Sequence, residues 1–212
     1  MKKSERANRV MDIFDKIYPD VKCTLNYSNP LEMLIATQLS AQCTDARVNI
    51  VTDSLFKKYR CAEDFARADR VELENDIRSA GFYRNKAKNI IACCQRLIDV
   101  YDGKVPDTME DLLTLPGTGR KTANLVLGDV YKQPAVVVDT HCIRLSNRIG
   151  LVNSEDPVKI EYDLKKLIPP QRQLKLCHQL VHHGRVRCNA RKPDCEDCEI
   201  KEYCKYFGLK SK

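Results

Sequence analysis

A lysine at position 121 stands two residues behind Gly119 in the segment LPGTGRKTANLVL. The proline-glycine-threonine-glycine stretch reads as a turn and the residues after it as a helix, so Lys121 falls in a first helical turn. The positive end of a helix dipole disfavours an ammonium and favours the neutral amine. A neutral lysine amine is a nucleophile suited to Schiff-base chemistry. Asp139 lies between the apolar run AVVV and the helical pattern THCIRLSNRIG. Aspartate is a favoured helix N-cap, worth about 0.5–2 kcal/mol. A cap uses one carboxylate oxygen, and the second can shuttle protons or steady a developing positive charge.

The tail CNARKPDCEDCEIKEYC places Cys188, Cys195, Cys198 and Cys204 in a C-x6-C-x2-C-x5-C pattern. Four thiolates on so short a loop can converge on one centre, with Asn189, Pro193 and Asp194 as turn formers. A structural zinc is the plainer alternative. Zinc sites usually pair two C-x2-C knuckles, and only one is present, so a cubane iron-sulfur cluster fits the spacing better. The remaining seven of the eleven cysteines are scattered through helical or apolar patterns and read as buried small hydrophobes. Dispersed thiols without a secretory signal argue against a disulfide framework. His178 and His182 are four apart on one helix face, with no carboxylate to complete a metal triad, and read as a packed or surface pair.

These groups must be held by helices, because helical periodicity runs through nearly the whole chain. The N-terminal Val10, Ile13, Phe14 and Ile17 mark an amphipathic helix. Pro30 opens PLEMLIATQLSAQ, Thr44 or Asp45 caps the next helix, and Gly81 closes ADRVELENDIRSAG. A longer helix runs from about Arg84 to Tyr101, and an Asp107-to-Glu110 pair resembles a capping box before Pro116-Gly117. Beyond the turn, Ala123, Val126, Leu127 and Val130 form the stripe of one packed face. The run Ala135 to Val138 has no partner strand and is expected to be a buried crossing segment. LPGTG between two helices has the makings of a helix-hairpin-helix. Gly117 and Gly119 permit tight geometry and close approach, and the free N–H groups that follow suit a phosphate.

The chain of 212 residues, 43% of them hydrophobic, can bury a real core. No apolar run approaches membrane-spanning length and the N-terminus lacks an apolar signal core, so a cytoplasmic protein is expected. The net charge of +7 makes a polyanionic partner plausible. Locally, YRNKAKNIIACCQRL carries Arg84, Lys86, Lys88 and Arg96 without an acidic residue, which alone reads as a solvated helix face.

LPGTGRKTA, VDTHC-x-R and the C-x6-C-x2-C-x5-C tail, in this order, resemble the endonuclease III family of helix-hairpin-helix DNA glycosylases. The resemblance spans nearly the whole chain. It implies an all-α, two-lobed fold with double-stranded DNA bound across the cleft between the lobes. One lobe, 23–133, is a six-helix barrel with the hairpin; the other joins 1–22 to 134–212 and holds a [4Fe-4S] cluster in the loop 188–204. By the same resemblance Lys121 is the nucleophile and Asp139 the active-site carboxylate of a bifunctional glycosylase and abasic-site lyase. The lysine would attack C1′ of an oxidised pyrimidine nucleoside, and β-elimination would cut the strand. Gln42 in LSAQCTD and Phe82 in AGFYRNKAKN correspond to the residues that fill the gap left by the flipped nucleotide, with Phe where leucine is more usual. Arg84 and Lys88 then read as phosphate contacts, as do Gly117, Gly119 and Arg120 of the hairpin. Adenine-mismatch glycosylases carry serine in place of Lys121 and a further C-terminal domain, so the lysine and the short tail imply the lyase, acting as a monomer. The rival readings are a non-catalytic DNA-binding iron-sulfur protein, a monofunctional mismatch glycosylase and an electron carrier.

Overall fold

The computed structural model describes residues 1–210, all helix and connecting loop, with no strand among them. The helices are α1 (Lys3–Ile17), α2 (Pro30–Leu39), α3 (Asp45–Lys58), α4 (Ala62–Ala66), α5 (Arg70–Asp76), α6 (Tyr83–Tyr101), α7 (Met109–Leu113), α8 (Arg120–Leu125), α9 (Thr140–Ile149), α10 (Pro157–Leu167), α11 (Gln173–Val186) and α12 (Lys205–Lys210). No helix among the described residues is long and apolar enough to cross a membrane. The chain forms two compact units, Thr24–Gln133 and the pair of segments Met1–Cys23 and Pro134–Lys212.

In the unit Thr24–Gln133, α2 is the central element. Its residues Met33 to Leu39 are all buried, as expected of a helix that is apolar on every side. Asn29 caps it by accepting from the Glu32 N–H at 2.9 Å, and Pro30 occupies the first helical position. The longest helix, α6, buries one face through Ala87, Ile90, Cys93, Cys94 and Leu97. Thr44 caps α3 and Asp69 caps α5. The cap of α7 is Thr108, which accepts from the Asp111 N–H at 3.2 Å, and not the expected Asp107. A hydroxyl one residue closer to the first turn reaches the free N–H groups, and the Thr108 hydroxyl also donates to the Asp111 carboxylate. Beyond α8 the backbone widens into a π turn at Val126–Val130, and Thr122 to Asp129 are buried on every side instead of along one stripe.

In the other unit, α1 packs on α10 and α11, while α9 packs on α11 and α12. Phe14 sits at the middle of this core with its ring 4.9 Å from that of His183, and Tyr18 shares a 2.9 Å hydrogen bond with His183 Nδ1. The segment Ala135–Val137 is buried and lies outside any helix, and the Val137 N–H donates to Cys177 Sγ at 3.3 Å. Among the described residues no cysteine is in a disulfide. Of the seven outside the tail, Cys93, Cys94, Cys142 and Cys177 are buried as expected, whereas Cys23 and Cys43 are half-buried and Cys61 is exposed at the cap of α4.

The hairpin turn between α7 and α8 depends on a glycine. Gly117 has φ +76°, and a Cβ there would lie 2.9 Å from the Asn89 Cβ and 3.1 Å from Gln38 Oε1. Gly117→Ala is therefore expected to lower unfolding free energy by about 1–3 kcal/mol through strain and overpacking. Urea unfolding measures this; an unchanged midpoint would show that the turn does not rely on close backbone approach.

Candidate functional site

The hairpin is tied to α2 by one side chain. Gln38, itself buried, donates from Nε2 to the Pro116 carbonyl at 3.1 Å and to Thr118 Oγ1 at 3.3 Å. The Thr118 N–H bonds the Leu115 carbonyl at 3.1 Å, closing the turn. Gly119 is the N-cap of α8 with an ordinary φ of −99°, and a Cβ there would meet nothing. The two glycines thus differ: Gly117 is required by geometry, and Gly119 leaves open space before the helix. Arg120 is half-buried, and Lys121 is exposed in the first turn with its neighbours Thr122 and Ala123 packed inward. Buried flanking residues fix the backbone of Lys121 while its amine stays accessible.

Gln42 and Phe82 both line one pocket with Gln38, Asn85, Lys86, Asn89 and Gly117. Both adopt left-handed backbone, with φ +54° and +48°. Such angles are uncommon for non-glycine residues and cost roughly 1–3 kcal/mol each. Phe82 is 63% exposed, so burial of its ring does not offset that cost. Arg84 and Lys88 are exposed on the first turns of α6 beside it.

Lys86, from the same basic stretch, does not belong to a solvated face. It is 6% exposed, and its ammonium donates to the Leu39 carbonyl at 2.7 Å and the Ala80 carbonyl at 2.9 Å. Burial lowers its pKa. The signal was in the helical phase: Lys86 stands four and seven residues before Ile90 and Cys93, on the core face.

In the other unit, Asp139 caps α9 by accepting from the Cys142 N–H through Oδ1 at 2.7 Å. The residue is half-buried, and Oδ2 has no hydrogen-bond partner among the described residues. The same helix carries His141, Arg144 and Arg148 toward the cysteine loop. Arg144 Nη2 lies 3.1 Å from His141 Nδ1 and donates to the carbonyls of Gly184 and Cys188, each at 3.1 Å. Gly184 makes this approach possible, because a Cβ there would fall 2.5 Å from His141 Nδ1. Burial lowers the His141 pKa against the opposing pull of Asp139. Arg148 donates to Cys188 Sγ at 3.3 Å and to the carbonyls of Asn189 and Ala190 at 2.8 and 2.7 Å. The sequence reading missed Gln38 and Arg148; Gln38 was hidden in an apolar helix, and Arg148 looked like any exposed helical arginine.

Cys188, Cys195, Cys198 and Cys204 all line one pocket, walled by Leu145, Ile149, Ile200 and Phe207. Among the described residues, no group of three His, Cys, Asp or Glu side chains forms a single-ion site. His182 stacks edge-on against Tyr18 at 4.7 Å, which gives it a packing role.

A family model described as the HhH-GPD superfamily base excision DNA repair protein matches residues 35–170. Endonuclease III of Synechocystis sp. is 49% identical over 203 residues, covering 95% of this chain and 93% of the relative. Endonuclease III of Bacillus subtilis is 42% identical over 196 residues, 92% of this chain and 90% of the relative. Two solved structures, each 42% identical, align over the full chain: a non-covalent endonuclease III–DNA complex at TM-score 0.93, covering 99% of that chain, and a trapped endonuclease III–DNA covalent intermediate at 0.94, covering 100%.

The strained, exposed Phe82 yields a prediction. Phe82→Gly relieves the left-handed backbone and sacrifices little burial, so stability should stay level or rise by up to about 1 kcal/mol. A loss larger than that in urea unfolding would mean that Phe82 is held for packing.

Proposed function

The chain belongs to the HhH-GPD superfamily of base excision DNA repair proteins and, within it, to the endonuclease III family, and from this we propose a reaction and assign its residues. The protein is a bifunctional DNA glycosylase and abasic-site lyase. Its proposed substrate is duplex DNA carrying an oxidised pyrimidine or an abasic sugar, bound by a monomer. The proposed setting is the cytoplasm, a reducing compartment in which thiols stay unoxidised and available to hold a cluster.

Lys121 is the proposed nucleophile. Its neutral amine attacks C1′, the glycosidic electron pair leaves with the base, and a covalent imine forms after ring opening. Loss of a C2′ proton then expels the 3′ phosphate oxygen, cutting the strand. Water finally hydrolyses the imine and returns the lysine. Asp139, through Oδ2, accepts and returns the protons that these steps move, while Oδ1 remains the helix cap. Extruding the nucleotide costs a few kcal/mol, less for a damaged base. Gln42 and Phe82 are proposed to fill the vacated stack, and their shared pocket and strained backbone support that assignment. Arg84, Lys88 and the hairpin residues Gly117, Gly119 and Arg120 would contact phosphates.

The tail cysteines fit a [4Fe-4S] cluster. An all-thiolate donor set lining one pocket, with a single C-x2-C knuckle, suits a multi-iron group better than zinc. Cys188, Cys195, Cys198 and Cys204 would hold it. When bound, it supplies a structural cross-link for a basic loop, not a reacting centre.

The observation that carries the reaction is an exposed Lys121, its backbone fixed by the buried Thr122 and Ala123 that follow it, in a chain of this family. An abasic duplex tests it. Wild type should cut 3′ to the abasic sugar, and Lys121→Ala should not. Asn caps helices as well as Asp does, so Asp139→Asn should keep its stability and DNA binding yet lose turnover by about a hundredfold or more. Undiminished incision by Lys121→Ala would sink the assignment.

A further inference from the structure

The clamp at Lys86 has no part in the chemistry described above, yet it touches both wedge loops. Its side chain enters from the first turn of α6, where a helix dipole repels a cation, and it is almost fully buried. Two costs are therefore accepted at one position. They are offset by two carbonyls from separate elements. Leu39 ends α2, and its carbonyl has no helical partner ahead of it; Ala80 ends the short helical turn Arg78–Ala80. Each carbonyl stands a few residues before a wedge. The turn Ser40–Cys43, closed by the Cys43 N–H on the Ser40 carbonyl at 3.1 Å, presents Gln42. Gly81, at φ +72°, leads directly into Phe82. The Lys86 N–H bonds the Phe82 carbonyl at 3.1 Å, so the lysine holds the Phe82 loop from both backbone and side chain.

We propose that Lys86 is a positioning residue for strand opening, one ammonium fixing the spacing of the Gln42 and Phe82 loops so that both wedges enter the same emptied step. The assignment rests on the wedge roles proposed above. An ammonium suits the task because its three N–H donors point apart and can serve acceptors from different elements. A side chain of similar length without donors would fill the same volume but let the loops drift, since the Lys86 ammonium is the group that bonds both the Leu39 and the Ala80 carbonyls. Left-handed residues make the link more demanding. Gln42 and Phe82 tend to relax toward ordinary φ, and relaxation of either loop would turn its side chain out of the shared pocket.

The role predicts a dependence on duplex structure that a general folding role would not produce. Single-stranded abasic DNA needs no extrusion and leaves no stack to fill, so wedge spacing is irrelevant to it. Incision should be measured on the same abasic oligonucleotide, single-stranded and in duplex, for wild type and Lys86→Met. The expected result is a loss of about a hundredfold on duplex, the scale of a misplacement near 1 Å, with single-strand incision within about twofold of wild type. Adding Lys86→Met to Phe82→Ala should then cost little more on duplex than Phe82→Ala alone. Equal losses on both substrates, or no loss on either, would overturn the proposal while leaving the lyase intact. If wild type cuts neither substrate, the lyase assignment falls and this one with it. Should Lys86→Met not fold, Lys86→Gln keeps donors on a shorter side chain and should show a smaller loss still confined to duplex DNA; a loss on both substrates, or none on duplex, would overturn the proposal.

Discussion

The hairpin backbone lies directly on α2 and α6, and everything proposed for the Thr24–Gln133 unit depends on that contact. Gly117 allows it by taking φ +76° and by offering no Cβ to Asn89 and Gln38. Gln38 then anchors the turn through Pro116 and Thr118. The same two helices end or begin at the wedge loops. One close approach therefore sets Gly117, in the turn that leads to α8 and Lys121, against the pocket lined by Gln42 and Phe82.

Two lysines at helix starts solve an unfavourable position in opposite ways. Lys121 stays exposed, and its position is set by buried neighbours. Lys86 is buried, and its charge is met by carbonyls whose own helices have ended. Helix dipole and desolvation both act against Lys86, and two charge-assisted hydrogen bonds oppose them. In the other unit, arginines play the corresponding part. From α9, Arg144 and Arg148 bind carbonyls of the cysteine loop, so the helix capped by Asp139 also carries the loop's first cysteine.

Helices were legible because apolar spacing and start signals agree locally, as at Pro30, Thr44 and Asp139. The cap of α7 was misplaced by one residue, since Asp107 and Thr108 are equally good cap types and only geometry separates them. The α8 stripe underestimated burial because a π turn changes the phase after Leu125. Lys121 and the tail cysteines stood out by type and spacing. Lys86 did not, although its phase on α6 places it with Ile90 and Cys93; a charge run invites the reading of a wet surface. The left-handed backbone at Gln42 and Phe82 was invisible, because neither is a residue that advertises positive φ.

The central claim is that the Lys121 amine becomes covalently joined to the abasic sugar. Borohydride reduction during turnover on an abasic duplex would freeze that imine as a stable protein–DNA adduct. The account predicts an adduct whose modified peptide maps to Lys121 and which disappears in Lys121→Ala. An adduct that persists in Lys121→Ala, or maps to another amine, would contradict it.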